Sequence, residues 1–287
     1  MAFGAGSVVW LVMCAAPAVW LWRPQSAAAV TKAGHKFALA NKVYVDSRDA
    51  AAVDAVLGAS RRGVAVLIAV SGVVGVIGLR WWPFDQVVAV LGIALGGAVA
   101  AVRHHLEYAA LRGLDACVGT GRPRPAGDLV QRRQRLGLLL VGLLAVGGIL
   151  LTLVAPVHPY GWVRPEASLV GLWAVVFGFV ALAVVGTRRI RSLEFDAESS
   201  AHAYLLDALC HRVVQPPYVG AGFAAFVLAQ LTYLDLLGTS GWSSYLLIAA
   251  VVSPIALCVP GRSLPFRRRL PQLQSEEFVN SRGSASA

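Results

Sequence analysis

Residues Arg132–Pro156 read RRQRLGLLLVGLLAVGGILLTLVAP. Three arginines end at Arg135, and the 21 residues that follow carry no charge. At a rise of 1.5 Å per residue such a run forms a helix of about 30 Å, the thickness of the hydrocarbon core of a bilayer.

The same pattern recurs along the chain. Charge-poor apolar runs lie at about Ala5–Trp22, Gly63–Leu79, Val87–Val102, Leu136–Pro156, Leu169–Gly186, Val219–Leu237 and Ser244–Val259, none containing Lys, Arg or Glu. With 57% hydrophobic and 14% charged residues, the composition exceeds what the core of a soluble domain absorbs. The fold class expected is therefore all-α, a polytopic membrane protein of seven spans: a lone first helix, then three hairpins. The transmembrane domain covers residues 1–261, and 262–287 form a basic cytoplasmic tail expected to be disordered.

Charge orients the map. The long connectors and the tail hold 23 of the 25 basic residues, and only Arg80 and Arg164 fall at hairpin tips. The positive-inside rule then places the connectors and the C-terminus in the cytoplasm and the N-terminus outside, as a multi-pass protein of the cell membrane. Aromatic residues at the tips (Trp81, Trp82 and Phe84; Tyr160 and Trp162; Trp242 and Tyr245) suit the opposite interface. The first run has no basic segment before it, so it is expected to remain as a span. The net charge of +10 follows from the orientation signal, and no nucleic-acid motif accompanies it. Cys14, Cys117, Cys210 and Cys258 all avoid the oxidising side, so no disulfide is expected.

The connectors carry helical periodicity of their own. Leu193, Ala197, Ala201 and Tyr204 recur at three- and four-residue steps, so Thr187–His211 is expected to be one amphipathic helix continuing the fifth span. Pro216–Pro217 should stop it by Gln215. Arg103–Val118 and a stretch near Val45–Leu57 read alike, with Gly119 and Gly58 as candidate caps. An offset of 61 residues superimposes Asp54–Ala55 on Asp115–Ala116 and Gly58 on Gly119, as a repeated unit of cytoplasmic helix plus hairpin would, but in a chain so rich in Ala, Val and Gly shared composition is the favoured reading.

Candidate chemistry is sparse. Glu194, Glu198 and His202 share one helix face, as do Asp207 and His211, with His104 and Glu107 on a neighbouring connector. Glu194, Glu198, His202, His104 and Glu107 are the catalytic candidates; Glu198, His202, Asp207 and His211 are spaced as metal ligands could be. The competing reading is a solvated helix face neutralised by Arg191 and Arg212. The string Leu193–Glu194–Phe195–Asp196–Ala197–Glu198 resembles the third-ligand helix of membrane-embedded zinc metalloproteases, in which a glutamate is followed closely by an Ala-Asp pair. Glu198 stands where that family has aspartate, and the HExxH string that supplies two zinc ligands and a base does not occur in the chain. Phosphate loops, nucleophile elbows and dinucleotide fingerprints do not occur either. Asp235 is the one acidic or basic residue in a span, and that scarcity argues against a proton-coupled pump.

Packing signals are stronger. Gly92, Gly96 and Ala100 form a small-residue ridge on the third span, and Gly72, Gly75 and Gly78 thin one side of the second. The function that fits is a non-catalytic membrane component, with no cofactor, held in the bilayer and meeting other subunits through glycine-rich faces and cytoplasmic helices. A membrane-embedded enzyme is the rival, and a passive channel or small transporter the third reading.

Overall fold

The computed structural model describes residues 5–23, 26–41, 43, 45, 47–81, 93, 96–97, 99–113, 130–154, 166–193, 200–229, 249 and 252–259. All regular structure among them is helical. The helices are α1 (Ala5–Trp22), α2 (Ala27–Asn41), α3 (Ser47–Trp81), a π-helical turn at Val99–Arg103 leading into α4 (His104–Arg112), α5 (Arg132–Val154), α6 (Glu166–Arg191) and α7 (Ser200–Ala229), with a further helical stretch at 252–258. Three of them contain segments long and apolar enough to cross a membrane, at Ala50–Val73, Arg132–Leu151 and Val170–Arg191.

The packing centres on α7. Leu205, Leu209, Val213, Ala221, Ala225 and Leu228 are all buried, and burial runs around most of its circumference, the mark of a helix enclosed by others. α6, α5, α4 and the π-helical turn all pack against it, while α1 lies along α3. The outer helices carry exposed apolar stripes, such as Leu136, Leu139, Leu143, Leu150 and Leu153 on α5, which suit contact with lipid chains.

Three connector expectations are corrected. The helix near Val45–Leu57 and the second apolar run are one continuous helix, α3, and Gly58 does not end it. A glycine costs a helix only about 1 kcal/mol relative to alanine. Val56, Ala59 and Ser60 around it are buried, so ending the helix there would leave several backbone groups without partners inside the packed interior. By contrast, Thr187–His211 is not continuous. α6 stops at Arg191, where Ser192 Oγ donates to Arg189 O at 2.8 Å and the Leu193 amide donates to Ile190 O at 3.3 Å, closing the last turn. Arg188, Arg189 and Arg191 in that turn complement the helix dipole. Finally, α7 does not stop at Gln215 but passes through Pro216 and Pro217. The reason lies in the site described below. α4 reaches Arg112, with Gly113 still in the right-handed region, and the remainder of Arg103–Val118 lies outside the described residues.

Two ridge glycines sit at close approaches. A Cβ at Gly96 would lie 2.9 Å from Gly220 O of α7, and one at Gly72 would lie 2.8 Å from Cys14 Cβ of α1. Gly75 and Gly78 fall within α3 and Ala100 within the π-helical turn, while Gly92 lies outside the described residues. Gly178 on α6 has nothing within 4 Å of a built Cβ. Gly96→Leu is therefore expected to lower the melting temperature sharply or abolish membrane accumulation, since a large side chain must displace the backbone of α7. Gly178→Leu is expected to leave both near wild type. Equal behaviour of the two variants in a detergent melt would contradict this packing.

Candidate functional site

Pro217 has no N–H, so the carbonyl four residues earlier, that of Val213, loses its helical partner. Val213 is fully buried, and a carbonyl enclosed there must find another donor. It finds one on a different helix: Nδ1 of His104, the first residue of α4, donates to Val213 O at 2.8 Å. Because a carbonyl only accepts, this bond fixes the Nδ1–H tautomer. Neighbouring helices supply the bonds that proline removes, which is how prolines persist inside buried helices.

His104 is held from three sides. Its ring stacks on Tyr108 at a centroid distance of 6.2 Å. A Cβ on Gly186 of α6 would lie 2.6 Å from its Nε2, so only glycine admits the imidazole there. The side chain is 5% exposed. Burial pushes the imidazole pKa below the ordinary histidine value, opposed by the Val213 carbonyl and by Glu107.

One turn further on, Glu107 is fully buried. Its Oε1 accepts from Arg103 Nε at 2.9 Å, and Oε2 has no partner among the described residues. Arg103 closes the π-helical turn and presses on α3, where a Cβ at Gly63 would lie 2.7 Å from Arg103 Cα. From α7, Arg212 donates through Nη2 to Ser60 Oγ at 3.2 Å and places its guanidinium 6.0 Å from the Phe37 ring centre. Its Nε also has no hydrogen-bond partner among the described residues. Arg212 sits in the field of the Glu107 carboxylate as well as that of Arg103.

A second set joins α5, α7 and the 252–258 stretch. Gln134 accepts from the Gln131 amide at 3.2 Å, one half of a capping box at the start of α5. Its Nε2 donates to Cys258 O at 3.2 Å and to Gln215 Oε1. The Gln215 amide nitrogen lies 3.2 Å from Nδ1 and 3.3 Å from Nε2 of His211, donating to the unprotonated one. On the α6 side, Thr187 Oγ1 donates to Ala183 O at 2.7 Å, which leaves the Tyr218 hydroxyl to donate to Thr187 at 3.1 Å. These residues lie at or near the ends of apolar runs. Together they form a largely buried polar layer that joins α3, α4, α5, α6 and α7.

Of the residues singled out in the sequence, His104 and Glu107 are brought against α7 at Val213 and Arg212. His211 is buried among the glutamines, not on the solvated face expected for it. Asp207 is half-buried on α7; His202 also belongs to α7, and Glu194 and Glu198 lie outside the described residues. Among the described residues no group of three His, Cys, Asp or Glu is arranged to hold a metal. Sequence reading overlooked Ser60, Gln134, Thr187, Gln215 and Tyr218. The proline pair was the available signal, since it announces carbonyls in need of donors. Compared with protein-family models, curated proteins and solved structures, the chain matches none.

His104→Ala is expected to destabilise the protein by about 1–3 kcal/mol by stranding the Val213 carbonyl. His104→Asn, whose amide reaches roughly where Nδ1 stands, should recover part of that loss. Because the folded state lowers the His104 pKa, the unfolded chain binds the proton more readily. The stabilisation is then complete above about pH 6.5 and lost as the pH falls below it, through the folded-state value. Melts from pH 7.5 to 5 should show that loss in the wild type and less of it in His104→Asn. An Asn variant as unstable as Ala at pH 7.5 would refute the hydrogen-bonding role.

Proposed function

We propose that the protein is a non-catalytic component of the cell membrane with seven spans: an accessory, scaffold or transport-complex subunit whose N-terminus is outside and whose helical connectors meet a partner in the cytoplasm. The observation that best supports this reading is the employment of its buried polar groups. His104, Gln134, Gln215, Thr187 and Tyr218 direct hydrogen bonds to other parts of the same chain, tying helices together. A catalytic acid or base instead keeps a polar atom within reach of substrate. The exposed apolar faces of α5 and α6 suit lipid or the helices of another subunit.

One observation favours a membrane-embedded enzyme. Glu107 holds a buried carboxylate oxygen without a partner among the described residues, one turn after a π-helical turn, a feature often found at functional sites. Glu194, Glu198 and His202 would be the further residues of that alternative.

Recovery of the tagged protein from native membranes is expected to bring down a membrane partner in fixed ratio. Glu198→Ala and His202→Ala should recover the same complex and support the same growth, whereas losing a catalytic or metal-binding member would cost orders of magnitude in rate. Normal insertion with abolished function in either variant would favour the enzyme. For the topology, cysteine labels at Lys36, Arg124 and Arg268 should report the cytoplasm and those at Phe84, Tyr160 and Thr239 the outside. A label at Arg124 that reports the outside overturns the map.

A further inference from the structure

α2 is an amphipathic helix whose apolar side is already covered. Ser26 caps its start, with Oγ accepting from the Ala29 amide at 3.4 Å, and Asn41 Nδ2 donates to Phe37 O at 2.8 Å near its end. Phe37 and Ala38 are buried, and α3 packs against the helix. The opposite side presents Thr31, Lys32, His35 and Lys36, all exposed, with Arg23 and Arg62 exposed at either end of the connector. Asp54, an acidic side chain of this connector, is half-buried and faces Gly34. Lys32 and Lys36 stand one turn apart, where like charges repel unless an anion lies between them.

Contacts also link this helix to an aromatic end of α1. Phe37 lies under the guanidinium of Arg212, which donates to Ser60. The next residue, Arg61, donates to Trp20 O at 3.1 Å and places its guanidinium 5.0 Å from the Trp20 ring centre. Trp20 and Trp22 are 65% and 57% exposed at the end of an apolar helix, and tryptophans in that position settle among lipid headgroups. The chain of contacts from Phe37 through Arg212, Ser60 and Arg61 links α2 to that end of α1.

We propose that the outward face of α2, through Lys32 and Lys36, binds anionic phospholipid headgroups of the cytoplasmic leaflet. The inference rests on the membrane topology proposed above and adds a lipid preference to it. Charge complementarity supplies the attraction, and the link to the exposed tryptophans that end α1 favours a headgroup over a soluble acidic partner.

The test is native mass spectrometry of the purified full chain titrated with phosphatidylglycerol or phosphatidylcholine. The wild type should retain the anionic lipid preferentially, and Lys32→Gln/Lys36→Gln should weaken that retention by on the order of thirty-fold. Arg112→Gln, an exposed arginine on α4, should change it little, and circular dichroism should show all three proteins equally helical. Equal retention of the two lipids by the wild type overturns the proposal, as does wild-type retention of phosphatidylglycerol by the double variant. Loss of binding to a polyglutamate peptide with lipid retention unchanged assigns the face to an acidic protein and also overturns it. A cysteine label at Lys36 separates the two levels of failure. If it reports the cytoplasm, the lipid proposal fails alone; if it reports the outside, the topology fails and the proposal with it.

Discussion

Pro217 removes one amide proton from the middle of a helix enclosed on nearly every side, and water cannot restore it there. The carbonyl of Val213 would otherwise cost the fold as much as any buried unsatisfied group. The imidazole of His104 replaces the lost donor at 2.8 Å. Much of the surrounding arrangement follows from that bond. α4 must begin where its first side chain meets α7. Gly186 must remain without a side chain so that the ring can enter. The π-helical turn before α4 changes the register just ahead of that ring, leaving Arg103 against Gly63 and paired to Glu107.

In the membrane location proposed for the chain, the polar layer matters more than it would in a soluble protein. Lipid offers helices no hydrophobic drive to associate, so close packing and interhelical hydrogen bonds must hold them. Gly96 against α7 and Gly72 against α1 provide the first. The His104 bond and the Gln134, Gln215 and Thr187 bonds provide the second, at the boundary where a helix bundle would otherwise splay. A layer so engaged suits a component that keeps a defined shape for a partner.

The helical, membrane-type character was legible in the sequence because an uncharged apolar run has few other fates. The first run, Ala5–Trp22, coincides with α1, and Leu136–Pro156 and Leu169–Gly186 largely coincide with α5 and α6. Helix ends were less legible. Gly58 and Pro216–Pro217 are breakers by local propensity, yet both lie inside helices, because tertiary surroundings alter the cost of a break. A glycine penalty of about 1 kcal/mol is smaller than that of exposing backbone groups, and a proline defect disappears once another helix supplies the donor. The break at Ser192–Leu193 went unseen for the converse reason: apolar periodicity carries through it, while local side-chain and tightened-turn bonds close α6. At the candidate site, His104 and Glu107 were visible as chemistry-bearing residues. Their partner was a backbone carbonyl, which no residue pattern names.

The most direct test of this account is a double-mutant cycle between His104 and Pro217, scored by thermal unfolding in detergent. Alone, His104→Ala strands the Val213 carbonyl. Added to it, Pro217→Ala returns an amide N–H at the position from which a helix normally serves that carbonyl. The account predicts that the double variant is more stable than the sum of the single changes by about 1 kcal/mol or more. Strict additivity of the two substitutions would contradict it.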